Sequence, residues 1–382
     1  MKSKIYLLIA AAGIVAASSC KKFDTTSLGN KSINSLNAKA DTDVYVVGEA
    51  APQNWPGGYA AYWKNGVRTA LTDTTSGLVG SASAAGIAIH DTDVYITGMT
   101  FTSGKTTAVY WRNGQKIVLA DNASVGGNIA ISSCGCDVYI PGEVRVSDYD
   151  LRPVYWKNGV QHMLPGSPGF QLTASSIAIH GGNVYVAGYA KKNSADYYGV
   201  YWKNDTLHYL TDPSSSDFSI ASGIDVKGND VYVSGYSHFF RIGRPDGTGI
   251  ATYWKNGTPV VLNGATPSIN ALNLPSAIAI NNGNDVYVTG SIAPADPTLF
   301  QVDAAYWVNN VITHFPPIDN NTERTATAIA FAGHDVYISG TTTPHPSGNP
   351  YAGYWKNGNT FVRLPGRVGI GSGVAVVTHP HH

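Results

Sequence analysis

The motif Tyr-Trp-(Lys/Arg/Val)-Asn occurs seven times, with its tryptophan at Trp63, Trp111, Trp156, Trp202, Trp254, Trp307 and Trp355, at spacings of 45 to 53 residues. Self-similarity at that period marks a propeller or a solenoid, because one such unit cannot bury its apolar face alone and must stack on its neighbours. Length alone would divide 382 residues into two or three domains, and the repeat overrides that division.

Each unit reads as four short strands. An Ile-Ala-Ile run comes first, preceded by Gly or Ser at Ile87–Ile89 and Ile177–Ile179 and by Ala at Ile278–Ile280. After a polar turn comes Asp/Asn-Val-Tyr-(Val/Ile)-x-Gly, with Tyr45, Tyr95, Tyr139, Tyr185, Tyr232, Tyr287 and Tyr337. A variable loop, the Tyr-Trp segment, an Asn-Gly pair and a last segment ending near a leucine or phenylalanine complete the unit. Short runs rich in Val, Ile, Tyr and Trp favour strand over helix. Asn65-Gly66, Asn113-Gly114, Asn158-Gly159, Asn256-Gly257 and Asn357-Gly358 predict two-residue hairpins, since both residues accept positive φ. Asn204-Asp205 and Asn309-Asn310 stand at the same place and also tolerate the left-handed region. Four antiparallel strands per unit form the blade of a β-propeller.

The chain ends select a ring over an open stack. The first unit starts at Asp43-Val44-Tyr45 without an Ile-Ala-Ile run, and the last is followed by a lone Gly373-Val374-Ala375-Val376. The expected fold is therefore an all-β, seven-bladed propeller over residues 43–378, closed by pairing the C-terminal strand with the N-terminal blade. Tryptophans recurring at one position of an inner strand are expected to be core wedges between blades rather than a row of binding sites.

Residues 1–20 read as an export signal: Lys2 and Lys4, an apolar run from Ile5 to Ala17 too short to span a bilayer, then Ala17-Ser18-Ser19-Cys20. A cysteine after small residues resembles a bacterial lipobox, and Cys20-Lys21-Lys22 resembles the start of outer-membrane lipoproteins of the Bacteroidetes type. That resemblance implies cleavage before Cys20, lipidation of Cys20 and an outer-membrane lipoprotein facing the cell surface or the periplasm. Residues 21–42 are polar and aperiodic, as a tether would be, with a root-mean-square span of roughly 25 Å. Residues 379–382 form a short tail.

Lys plus Arg and Asp plus Glu balance at 25 each, and only 13% of residues are charged, so no basic footprint points to nucleic acid. The domain is expected to be a monomer and to carry no cofactor or metal. One Asp per turn falls short of a calcium site, which takes six or more oxygens. Besides Cys20, the cysteines are Cys134 and Cys136, separated by one glycine. An exported protein favours a disulfide, while so short a spacing leaves two free thiols as the alternative.

Binding residues concentrate on variable loops held by a rigid scaffold. The loops between the second and third strands vary most, and the position after the second-strand glycine carries Glu49, Met99, Glu143, Tyr189, Tyr236, Ser291 and Thr341. These side chains are expected to ring one mouth of the central channel, and they include two of the three glutamates, Glu49 and Glu143. Around them stand Trp55, Arg145, Tyr197, Tyr198, His238 and Arg241. Aromatic faces beside charged groups suit sugars or peptides, so Glu49, Trp55, Glu143, Arg145, Tyr189, Tyr236, His238 and Arg241 are the ligand-binding candidates.

The order Ile-Ala-Ile, Val-Tyr-Val-x-Gly, Ala-x-Tyr-Trp-Lys-Asn-Gly over residues 43–377 resembles the bacterial extracellular repeat called HAF, although Tyr replaces its Leu before Trp and no His-Ala-Phe occurs. The resemblance implies an exported propeller-like protein and assigns no functional residue. The expected function is a membrane-anchored extracytoplasmic binding or scaffold propeller whose variable face takes a glycan or protein. The alternative is a polysaccharide-acting enzyme, a glycosidase or lyase, with Glu49 and Glu143 as its acid and base. A glycosidase pair needs carboxyls roughly 5–10 Å apart.

Overall fold

A computed structural model describes residues 41–51, 58–72, 80–102, 104–147, 150–192, 196–214, 218–238, 250–263, 274–292, 302–316, 322–344, 348–359, 361–366 and 368–379. Cys20, the signal and tether up to residue 40, Trp55, Arg241 and residues 380–382 lie outside the described residues. The described chain is all-β, with seven small antiparallel sheets arranged as the blades of a propeller. Blades 1 to 7 follow chain order, and each counts its strands from the channel outward.

The ring closes as the sequence predicts. Val368–His379 is the first strand of blade 1 and pairs antiparallel with Asp41–Ala51, from Asp41 opposite His379 to Ala51 opposite Val368. The sheet thus begins two residues before Asp43. His379 Nε2 lies 3.0 Å from an Asp43 carboxylate oxygen at the outer end of this seam. Residues from the first strands of all seven blades, including Gly86, Asn128, Ser176, Ser222, Ala277, Thr327 and Gly373, line one central cavity of about 530 Å³.

A repeated irregularity shapes the channel wall. The pairing of first and second strands slips by one residue at Val47/Gly48, Ala84/Gly86, Ala221/Gly223, Pro275/Ala277 and Ala326/Ala328, leaving Ser372, Ala85, Ser222, Ser276 and Thr327 as bulges. In blades 3 and 4 the first strand divides there instead, into Ala123–Val125 and Ala130–Ile131, and into Gln171–Leu172 and Ser176–His180. A bulge increases local twist and aims side chains out of the ladder. Here the bulge, or the division that replaces it, links blades: Ser222 Oγ donates to Pro275 O at 2.6 Å, Thr327 Oγ1 to Gly371 O at 3.0 Å, and, from the gap in blade 3, Asn128 Nδ2 to Ile177 O at 2.8 Å.

The bulge also explains the invariant second-strand glycine. A Cβ on Gly48, Gly98, Gly142, Gly188, Gly235, Gly290 or Gly340 would overlap the first-strand carbonyl oxygen of Ile370, Ser83, Ser124, Thr173, Ile220, Leu274 or Thr325 respectively. At Gly98, Gly142 and Gly340 it would also strike the indole of Trp111, Trp156 or Trp355. All seven motif tryptophans are at most 1% exposed, which bears out their reading as core. The Nε1–H of Trp63 donates to Pro365 O, that of Trp202 to Pro165 O and that of Trp307 to Asn263 O, at 2.8–2.9 Å. Each acceptor follows the last strand of the preceding blade, so the indole holds two blades together as well as filling the space between them.

Outside the core, each unit repeats a polar cassette. The hairpin asparagines have φ near 50°, for example 51° at Asn113 and 52° at Asn158. Asn204-Asp205 and Asn309-Asn310 take positive φ at both residues, as expected. The Asn Oδ1 accepts the amide of Val44, Val94, Val138, Val184, Val231, Val286 or Val336 at 2.8–2.9 Å. Its Nδ2 donates to Asp43, Asp93, Asp137, Asp230, Asp285 or Asp335, with Asn183 taking that place in blade 4. Lys64, Arg112, Lys157, Lys255 and Lys356 pair with the same carboxylates and lie 5.2–5.4 Å above Tyr45, Tyr95, Tyr139, Tyr232 and Tyr337. The recurring Asp thus ties the first hairpin to the second within a blade through side chains.

Gly142→Ala forces a methyl group against backbone that cannot yield, and should lower stability by about 3 kcal/mol in denaturant titration. The Lys64 ammonium holds Asp43 down to about 2, and Asp93, Asp137, Asp230 and Asp285 are likewise lowered, through Asn113, Lys157, Lys255 and Asn309 respectively as the main partners. Their contribution is complete above the unfolded aspartate value near 4 and is lost as pH falls toward about 2. The thermal midpoint should therefore drop steeply between pH 4 and pH 2, and Asp137→Asn should flatten that drop.

Candidate functional site

The register places the seven positions after the second-strand glycine in one layer around the ring. Glu49 stands opposite Ile370, Met99 opposite Ser83, Glu143 opposite Ser124, Tyr236 opposite Ile220, Ser291 opposite Leu274 and Thr341 opposite Thr325. Tyr189 holds the same place by a different bond, its amide donating to Thr173 Oγ1 at 3.2 Å. All seven stand on second strands, while the channel wall is built from first strands. They therefore sit one strand back from the channel. Ser291 and Thr341 are each 7% exposed, and Thr341 Oγ1 accepts the Gly371 amide at 3.1 Å, so these two belong to the scaffold. Glu49, Met99, Glu143, Tyr189 and Tyr236 are half-buried.

Two of these side chains are joined through a row of rings. Tyr189 lies 5.6 Å from Tyr197 between ring centroids, Tyr197 lies 5.8 Å from Phe218, and Phe218 lies 5.6 Å from Tyr236, so a row of four rings joins blades 4 and 5. The Lys191 ammonium lies 5.4 Å above the Tyr197 ring. The Tyr189 hydroxyl is pushed up by burial first, and next by the charge of Glu143 on blade 3. Burial also raises Tyr236, with smaller contributions from Tyr189 and Tyr197. Glu143, Tyr189 and Tyr236 thus share one electrostatic neighbourhood across three consecutive blades.

Glu143 also opens on a cavity of about 270 Å³ lined by Gly104, Thr106, Asn122, Ala123, Ser124, Arg145 and Leu151. Glu143, Arg145 and Leu151 share a face because Arg145 pairs with Leu151 two residues along the same strand. Burial without a compensating charge raises the Glu143 carboxyl to about 7, since removing water disfavours the ionised form. The result is a carboxyl that changes charge near neutrality, beside hydroxyl, amide and guanidinium groups.

Glu49 stands apart from this group. It is on blade 1, with blade 2 between it and Glu143, and its carboxyl is packed against Gly58. Burial raises it, and neither glutamate is shifted by the charge of the other. Of the two neighbouring tyrosines named from sequence, Tyr197 belongs to the ring row, whereas Tyr198 is 4% exposed and packs in the core edge-on to Phe170. Phe218, Thr106 and Asn122 were not among the sequence candidates. Phe218 opens a first strand expected to be channel wall, and Asn122 follows the last strand of blade 2. His238 ends the strand Asp230–His238, and its side chain, with Trp55 and Arg241, lies outside the described residues. Among the described residues no group of three His, Cys, Asp or Glu side chains is placed to hold a metal ion.

No protein-family model and no curated protein matches the chain. Similar solved structures include an ulvan lyase described as a new family of polysaccharide lyase, at 11% identity and a TM-score of 0.46 over 72% of this chain and 81% of that one. A puromycin-hydrolysing peptidase of Mycobacterium tuberculosis is similar at 11% identity and a TM-score of 0.46, over 74% of this chain and 45% of the peptidase. A thermostable family-43 glycoside hydrolase is similar at 10% identity and a TM-score of 0.36, over 64% of this chain and 96% of that one. At these values the similarities carry no argument about chemistry.

The Glu143 environment is directly measurable. Carboxyl carbon NMR of the folded chain should give Glu143 an apparent pKa near 7. Because the folded value lies above the unfolded one, ionisation penalises the fold as pH rises from about 4.5 to about 7. Glu143→Gln should accordingly raise the thermal midpoint at pH 8 and leave it nearly unchanged at pH 4.

Proposed function

We propose that the chain is an exported, lipid-anchored binding propeller that holds a glycan across blades 3 to 5 of its variable face. The observation that carries this reading is the row Tyr189, Tyr197, Phe218 and Tyr236 joining blades 4 and 5, with the Glu143 charge of blade 3 acting on Tyr189. A pyranose presents apolar C–H faces and a rim of hydroxyls. Rigid aromatic side chains take the faces at low entropy cost, and the carboxyl, Lys191 and Arg145 orient the hydroxyls. The anchor rests on Lys2, Lys4, the apolar run and Cys20, with lipid on Cys20 and residues 21–40 as the tether that keeps a monomeric propeller off the outer membrane.

A second reading is supported by the influence of the Glu143 charge on Tyr189 alone. A carboxyl poised near neutral pH within electrostatic reach of a tyrosine hydroxyl suits proton transfer, as in elimination from a uronate. A glycosidase built on Glu49 and Glu143 has less support, because a whole blade separates the pair.

Screening the full chain on glycan and peptide arrays tests both readings. Tyr189→Ala and Tyr236→Ala should each weaken the retained glycan about tenfold, equivalent to ~1.4 kcal/mol, while His90→Ala on the opposite face should not. Retention of peptides alone would replace the glycan by a protein partner, and indifference to both tyrosine substitutions would remove the site. Accumulation of reducing ends or of an ultraviolet-absorbing unsaturated product from the bound glycan, abolished in Glu143→Gln, would establish the enzymatic reading.

A further inference from the structure

The turn between the first and second strands of blade 3, Ser132-Ser133-Cys134-Gly135-Cys136-Asp137, differs from its counterparts in carrying a disulfide between Cys134 and Cys136. Both cysteines are exposed. Their Cα atoms are 5.3 Å apart, within the range a disulfide spans without moving the backbone. Gly135 takes φ 69° and packs against the His90 imidazole of blade 2.

The turn is built without help from the sulfurs. Ser132 N–H donates to Asp137 O at 2.9 Å, Gly135 N–H donates to Ser132 O at 2.8 Å, and Asp137 N–H donates to Ser132 Oγ at 2.9 Å. Opening the disulfide therefore leaves the turn and the blade intact. A cross-link stabilises a fold by restricting the unfolded chain, an effect that grows with the loop it closes. By thermodynamic linkage, the fold stabilises the cross-link by the same amount. Closing a loop across a single glycine gives almost no such stabilisation, so this bond lacks the protection that makes long-range structural disulfides resistant to thiols.

Ser132 adds a chemical asymmetry. Its oxygen already accepts the Asp137 amide, which leaves its hydroxyl hydrogen to donate to sulfur, and Cys134 Sγ at 3.3 Å is nearer than Cys136 Sγ at 3.8 Å. A donor at that position stabilises a Cys134 thiolate and makes it the better leaving group. From this geometry we infer that the Cys134–Cys136 pair is a thiol–disulfide exchange site for low-molecular-weight aliphatic thiols, on the face opposite the Glu143 site. A substrate thiolate attacks Cys136 Sγ, forming a mixed disulfide as the Cys134–Cys136 bond breaks and its electron pair leaves on Cys134 beside the Ser132 hydroxyl. A second substrate thiolate attacks the substrate sulfur of the mixed disulfide and releases Cys136 as thiolate. Two thiols become one disulfide, the protein disulfide becomes a dithiol, and the two protons of the substrate thiols end on the two cysteines. The reverse sequence reduces a small disulfide.

The test equilibrates the full chain with graded mixtures of reduced and oxidised glutathione, followed by maleimide trapping and mass measurement. Two labelled thiols at positions 134 and 136 should appear in millimolar reduced glutathione with the thermal midpoint unchanged, and oxidised glutathione should reverse the change. Ser132→Ala should slow the opening about tenfold, and Ser132→Thr should restore it. The inference is overturned if the bond survives excess reduced glutathione in the folded chain, if opening requires unfolding, if both thiols stay free in oxidised glutathione, or if Ser132→Ala leaves the rate unchanged. None of these outcomes depends on whether a glycan binds the other face.

Discussion

Antiparallel pairing of Asp41–Ala51 with Val368–His379 is the interaction on which the remainder of the molecule depends. Strands more than three hundred residues apart in sequence form one blade, and a ring that does not close exposes two sheet edges and leaves blade 7 without its neighbour. Trp63 reinforces the seam by bonding to Pro365 from the far end of the chain. Because the long-range pairing that seals the circle joins the two ends, the cost of chain closure falls on one event, after which the other blades gain both of their neighbours.

Inside the ring, each blade breaks its first strand at the same level, by a bulge in five blades and by a division in two, and a first-strand carbonyl there presses on the second strand where only glycine fits. In three of the blades the break also turns a hydroxyl or amide toward the next blade. The residue directly after that glycine then emerges in a layer shared by all blades. That is how a constant backbone presents Glu49, Met99, Glu143, Tyr189, Tyr236, Ser291 and Thr341 as variable side chains at equivalent places, and why Glu143, Tyr189 and Tyr236 occupy that layer on consecutive blades. The conserved-looking aromatic and charged residues of the motif are consumed by structure: Trp between blades, and Lys, Asp, Asn and Tyr within them.

Much of this was legible in the sequence because the repeat reports its own phase. The blade number, the strand order, the hairpins at Asn204-Asp205 and Asn309-Asn310, the ring closure and the buried tryptophans all follow from where the motif starts and stops. The bulges were not legible, since a slipped residue changes no residue type that a pattern registers; only the repeated Ser, Thr, Ala or Gly two before the Ile hints at it. The Asp–Asn–Lys cassette joins residues about twenty apart, a distance that local turn chemistry does not reach. Tyr197 and Tyr198 show the limit at the site: neighbours on a strand point to opposite faces, and which one joins the ring row depends on the register that pairs Tyr197 with Lys191 and Tyr198 with Ala190. Phe218 was hidden for a similar reason, because its place at the start of a first strand reads as scaffold until Tyr197 and Tyr236 are seen on either side of it.

Whether one ligand surface spans blades 3 to 5, as proposed, is decided by a crystal structure of the full chain with its best-retained oligosaccharide. Sugar rings should stack on Tyr189, Tyr197 and Tyr236, with a hydroxyl or carboxyl group in the cavity beside Glu143. Sugar bound instead on the outer strands or on the opposite face, with the tyrosine row bare, would contradict the proposal.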